Sequence, residues 1–357
     1  MTDVNTKITQ LRNTEWNGKR IVVFLHGDYD FLCKVFGLSG PQGTYPCLWC
    51  LTTKKQLQES TEKEPRTFAF LKSAFEKFKI ESGEDKRKAA QYHNCIHEPL
   101  IDIELHKVSP PYLHILLGVV LKHHRMLEQA ADRIDKQIYE DKNPDRADNS
   151  RLLSNLGNNW QKWMQKQKEI AFLEGCVAFG EAESSSQTWM EQLENAQEEL
   201  ETISHTPLTS RSGPVCSQLD AVLDKHAITP QSYHSRSFTG NHCNKYLHPE
   251  VFKDITASIV RTTCEWTSNP FIVDDANEIK LNFDLLNEAY ALVHNDISHT
   301  YPIAPVSLSS IKTNIDSYMA TYRRMFKKKV IPKQHILESH CLPFIQEHKI
   351  GFGLVGE

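Results

Sequence analysis

Two short metal-ligand spacings stand far apart in this chain, and a fold that unites them must bring its first and last segments together. Cys47-Leu48-Trp49-Cys50 is a C-x2-C pair, a spacing that lets two thiolates grip one tetrahedral Zn2+. His335 and His340 lie within the usual H-x3–5-H range. Residues five apart on an α-helix point about 140° apart, so these histidines need a helix end or a local distortion to converge. Other readings stand beside this one. A C-x2-C pair serves redox chemistry when it opens a helix after a strand, and two neighbouring cysteines can simply be buried. His335 and His340 are two of 17 histidines, and His93, Cys95 and His97 crowd together as competing ligands. A Cys2His2 site built from both segments would be closed and structural, without an open position for catalysis.

Composition narrows the class of chain. At 357 residues, two or three domains are expected and a core can form without a staple. Lys and Arg number 41 against 45 Asp and Glu, a net charge of −4. That excludes a globally basic nucleic-acid binder and leaves only local patches. Hydrophobic residues make up 39% and charged residues 24%, as in an ordered globular chain. No run of about 18 apolar residues occurs, so no membrane span is expected. The start MTDVNTKITQ lacks the basic and apolar regions of a secretory signal. Nine cysteines, of which only Cys47 and Cys50 are close together, fit an intracellular, reducing compartment with one pair kept for metal or redox chemistry.

Three zones follow along the chain. Residues 1–108 hold the strand signals: Ile21 to Leu25 is a short apolar β-branched run ending at His26-Gly27-Asp28, and Leu100 to Leu105 alternates. Glycines and prolines make 37–46 a loop, and Thr67 to Phe78 has helix-like spacing. Residues 109–321 read as helical. Pro110-Pro111 suits a helix start, Leu152 to Ile203 suits a long helix or helical hairpin, and Thr206 to Pro214 is a linker. Val251 to Thr263 and Ile279 to Val293 return to helical periods. Residues 322–357 open on the basic cluster Arg323, Arg324, Lys327, Lys328 and Lys329, interleaved with Tyr322 and Phe326, and carry the histidine pair. The cluster suits a phosphate backbone, and equally a solvated helix face. Lys122 to Arg125 is a weaker patch of the same kind.

Asp28 stands where an apolar run meets a glycine turn. A carboxylate there suits Mg2+, and also plain turn chemistry. Asp30, Asp102 and Glu104 are its rivals.

Taken in order, these motifs resemble the RNase H-like DDE recombinases, most closely the Transib transposases and the related catalytic subunit of the V(D)J recombinase. Four separated segments carry the resemblance: Gly27-Asp28; Val35 to Leu38 with Gly43 to Cys47; Phe238-Thr239-Gly240-Asn241 with Lys245 and Leu247; and His335 to Glu357. It implies an α+β, helix-rich fold, a partial RNase H-like core interrupted by a large α-helical insertion. By the same resemblance, Cys47, Cys50, His335 and His340 correspond to structural zinc ligands, and Asp28 and Glu357 to the second catalytic aspartate and the glutamate. The implied chemistry is two-Mg2+ phosphoryl transfer on DNA, in the nucleus, with DNA as partner, room for a homodimer and no small-molecule cofactor.

The sequence also departs from that pattern. Only 27 residues precede Asp28; they hold one strand signal where three are expected, and Asp3 in the polar tail is a poor first aspartate. The spacing from His340 to Glu357 falls short of the family's, so the glutamate could lie beyond the last residue. The expectation is therefore a fragment or decayed copy of a transposase, not competent for transposition as it stands. The alternative is a non-catalytic, zinc-stabilised DNA- or protein-binding scaffold derived from such an element.

Overall fold

The computed structural model describes residues 2–59, 63–142, 160–179, 183–204, 213–231, 237–299, 302–327 and 330–352. The chain is helix-rich and forms two compact units, one of residues 1–121 and 286–357, the other of residues 122–285. No described helix is long and apolar enough to cross a membrane.

The first unit opens with α1 (Thr2–Arg12) and a hairpin of β1 (Glu15–Trp16) and β2 (Lys19–Arg20), paired antiparallel. Asn17 and Gly18 both take positive φ, as a two-residue hairpin turn demands. This hairpin is the only sheet among the described residues.

Neither run expected as a strand forms a ladder. Ile21 to Leu25 makes one parallel bridge, Leu25 with Val108, through Leu25 N–H to Lys107 O (3.1 Å) and Ser109 N–H to Leu25 O (2.9 Å). Val22 stays 54% exposed. Along 100–105 the expected alternation survives, with Ile101, Ile103 and Leu105 buried between exposed neighbours. Its backbone bonds go elsewhere. Leu100 N–H donates to Val35 O, Asn5 bonds Leu100 O and Asp102 N–H, and Arg12 reaches Asp102 O. Periodicity set which side chains face inward, while α1 and the last residue of the helix Tyr29–Val35 took polar groups that a neighbouring strand would have used.

Next come α2 (Tyr29–Val35), capped by Asp28, and α3 (Phe68–Ser82), capped by Thr67 and closed by Gly83 in the left-handed region. Pro110 and Pro111 precede α4 (Tyr112–Lys142), which runs on into the second unit.

The second unit contains a helical pair, α5 (Trp160–Phe179) and α6 (Glu183–Ser204), where a long helix or hairpin was expected. The pair packs about Ile170, Leu173 and Ala196 with Trp189, Leu193 and Leu200. These side chains recur at three- and four-residue intervals, the seam of an antiparallel helix pair. Most of the expected linker lies outside the described residues, but Gly213 and Pro214 start α7 (Pro214–Lys225). The buried Asp135 of α4 caps it, accepting from Val215 N–H (2.8 Å) and Cys216 N–H (3.0 Å). Helix α8 (Gly240–Tyr246) is capped by Thr239, and α9 (Pro249–Trp266) packs on α7.

Helix α10 (Pro270–Ile297) leads back to the first unit. There α11 (Ser307–Phe326) precedes one continuous helical stretch: α12 (Pro332–Ile336), a π-helical turn (Leu337–Cys341) and α13 (Leu342–His348). Tyr290, Tyr318 and Tyr322 are buried together against this stretch, and Tyr318 Oη accepts from Gln334 Nε2 at 2.8 Å.

Candidate metal centre

Cys47, Cys50, His335 and His340 come together within the first unit, with one ligand atom of each lying within 4.8 Å of the others. Cys50 Sγ and His335 Nε2 are 3.2 Å apart, as are Cys47 Sγ and His340 Nε2. Roughly 3.5 Å is the edge between S and N ligands around a tetrahedral Zn2+ with bonds near 2.3 and 2.1 Å, so the donors are spaced to share one ion.

The cysteine half-site is a knuckle fixed from behind. Tyr29 of α2 donates its hydroxyl proton to Pro46 O and accepts from Leu48 N–H at 3.2 Å. The Tyr29 and Trp49 rings stack at 6.1 Å, and Trp49 Nε1 donates to Val108 O. Below the knuckle, Arg66 N–H bonds Trp49 O at 2.8 Å. Both thiols are thus held in a buried, pre-shaped turn.

The histidine half-site resolves the spacing problem through the π turn between α12 and α13. Bonding from i to i+5 puts an extra residue into the turn, so positions five apart come round to nearly one face. His335 Nδ1 meets Ser339 Oγ at 3.3 Å, which leaves Nε2 for the ion. Glu338, within the π turn, takes a two-pronged bond from Arg323 of α11, each arm 2.7 Å.

The electrostatics suit a dication. Cys47 and the imidazoles hold the Cys50 thiol down to about 2, while burial and the facing Cys50 push Cys47 well up. One thiolate therefore forms readily and a second is resisted, a conflict that a bound divalent metal removes by neutralising both. Burial lowers His340, favouring the neutral imidazole that ligates. With two thiolates and two imidazoles the set can hold a metal ion such as zinc. Beside Cys50, His335 and His340 a cleft of about 760 Å3 opens, lined also by Trp49, Lys312 and Arg323.

The competing ligands fall elsewhere. His93 takes a left-handed conformation and packs against Tyr45 and Phe70. Cys95 is buried beside Arg66, and burial raises its thiol to about 11. The carbonyl of His97 presses on Gly37.

Asp28 is the exposed N-cap of α2: its Oδ1 accepts from Phe31 N–H at 2.7 Å. His114 of α4 and Lys333 of α12 lie close by; burial and Lys333 lower His114 while Asp28 raises it. Among the described residues, no group of three or more ligating side chains includes Asp28. Asp30 pairs with Lys34, and Glu104 with Arg12 and Lys107. Glu357 lies outside the described residues.

In the basic cluster, Arg323 is committed to Glu338, whereas Arg324 and the left-handed cap residue Lys327 are exposed. Lys328 and Lys329 lie outside the described residues. His123 and His124 are buried in the second unit, so the Lys122 to Arg125 segment is only partly a surface.

Sequence reasoning missed Tyr29, Arg66, Glu338 and Ser339, which carry no motif of their own. One signal was available: an H-x4-H pair demands a distorted helix, and Pro343 follows it. No family model matches this chain, and no curated protein matches it.

Proposed function

We propose that this chain is a zinc-stapled part of a Transib-like DDE transposase, a nuclear protein of a transposable element that acts on DNA. The observation that carries the reading is the Cys2His2 cluster, whose ligands are the four residues that the resemblance assigns to zinc. Chance Cys and His pairs would have no reason to meet across 285 residues. The zinc is structural, because four protein ligands fill a tetrahedral site.

On this reading the partial RNase H-like core is the region around Asp28. A single parallel bridge, Leu25 with Val108, is what supports placing it there. Mg2+ bound there would supply two-metal phosphoryl transfer. Asp28 would be a residue that holds the ion, beside its bond to Phe31 N–H. Lys333 gives its surroundings the positive character that a phosphate backbone requires. Arg324 and Lys327 add exposed charge for the same backbone.

A non-catalytic scaffold is the second reading, favoured by the role of Asp28 as a helix cap, which accounts for that residue without any cation. The test is Mg2+-dependent nicking of element-end DNA by the chain extended at both ends, beside its Asp28→Asn variant. Nicking lost in the variant supports the transposase. Zinc-dependent DNA retention without nicking supports the scaffold, and neither activity removes both.

A further inference from the structure

The π turn at Leu337–Cys341 is the distortion that lets His340 join His335, yet π turns are rare. Something in the sequence must therefore disfavour the α alternative. Pro343 is placed to do so. In a regular α-helix through this stretch, the N–H of residue 343 would bond Ser339 O. Proline has no N–H, and its ring would collide with that carbonyl. Widening the turn just before the proline moves the carbonyl off the ring. Pro343 then becomes the second residue of α13, where a missing N–H costs little.

Both flanks of the turn are fixed, so the extra residue cannot migrate. On the N-terminal side Gln334 is bonded to Tyr318, and within the turn Glu338 is held by Arg323. On the C-terminal side, Phe344 and Ile345 are buried, and Lys349 O accepts from Ile303 N–H at 3.0 Å.

We propose that Pro343 is a positioning residue for the metal centre: by excluding an α turn across residues 339–343, it forces the π turn that brings His340 onto the face of His335. The proposal rests on the cluster's being a metal site. It explains why the second histidine is five residues from the first, where an α-helix would call for four.

Co2+ is the probe, since thiolate-bound tetrahedral Co2+ has intense visible bands. The full chain is titrated while its helix content is followed by circular dichroism. Pro343→Ala restores the N–H and removes the ring; Co2+ binding is expected to weaken at least about tenfold, the scale of lost ligand positioning, with helix content kept. Adding the exchange Ser339→His with His340→Ser to Pro343→Ala gives a four-residue spacing and should recover the tetrahedral spectrum. The same exchange with Pro343 in place should abolish it. Wild-type affinity in Pro343→Ala, or an exchange tolerated beside Pro343, overturns the proposal. If Pro343→Ala does not fold, the exchange beside Pro343 decides alone. A wild-type chain without the tetrahedral spectrum overturns the metal reading and this proposal together, an outcome distinct from equal binding by wild type and variant.

Discussion

Burial and ion pairing pull two carboxylates of the second unit in opposite directions. Asp135 is 1% exposed, and burial lifts it to about 7 despite its two amide donors. Between about pH 4 and 7 the folded chain keeps this proton while the unfolded chain has lost it. Stability therefore falls as pH rises through that window, by at most about 1.4 kcal/mol per pH unit. Asp254 is held well below the usual range by Lys225, His226 and Arg261, at 2.8, 2.8 and 3.1 Å. Its contribution is present above about pH 4 and is lost on acidification. Urea unfolding between pH 3 and 8 should show both slopes. Asp135→Asn should flatten the upper one, and Asp254→Asn the lower one. An unchanged profile in either variant would refute the assignment.

At the scale of elements, turns and helix pairs carry the most testable strain. Gly18 and Gly37 both have positive φ, +71° and +77°. A Cβ at Gly18 would meet nothing, whereas one at Gly37 would fall 2.0 Å from His97 O. Gly18→Ala should thus cost only the left-handed penalty, about 1 kcal/mol, and Gly37→Ala clearly more, because backbone must move. Thermal unfolding of the two variants side by side checks the order. The Arg323–Glu338 pair, with side chains 25% and 13% exposed, ties α11 to the π turn with two charge-assisted bonds. A double-mutant cycle with Arg323→Gln and Glu338→Gln should return a coupling of about 1–3 kcal/mol, above that of an exposed pair. A coupling near zero would show that the π turn stands without α11. The helix start after Pro110-Pro111 was readable in the sequence because it is local chemistry, whereas Pro214, expected in a linker, opens α7, and Asp28, expected as a turn or cation carboxylate, caps α2. Strand ladders were not readable, because their existence depends on a neighbour that no local pattern specifies.

At the scale of the whole molecule, both metal half-sites belong to the first unit although the second unit lies between them in sequence. A metal that closes so long a loop contributes chiefly to the unit it closes. Calorimetry with a chelator should lower the unfolding temperature of one transition by several degrees and leave the transition of residues 122–285 in place. Cys47→Ser should reproduce the shift without chelator. Equal shifts in both transitions would contradict a staple confined to one unit.

The sequence by itself determined the ligand types and their spacings, the helix start after Pro110-Pro111, and the inward-facing positions of runs such as 100–105, all of which depend on neighbours within a few residues. Only the tertiary structure decided which cysteines and histidines meet. Cys95, His93 and His97 had equal chemistry, but Cys95 is held beside Arg66, His93 packs on Tyr45, and His97 stays exposed. It also decided that Arg323 serves Glu338, and that Ile21 to Leu25 makes a single bridge where a sheet strand was expected. The physical reason is the same in each case: a ligand set, an ion pair and a ladder are agreements between distant segments, and spacing along one segment cannot specify the other.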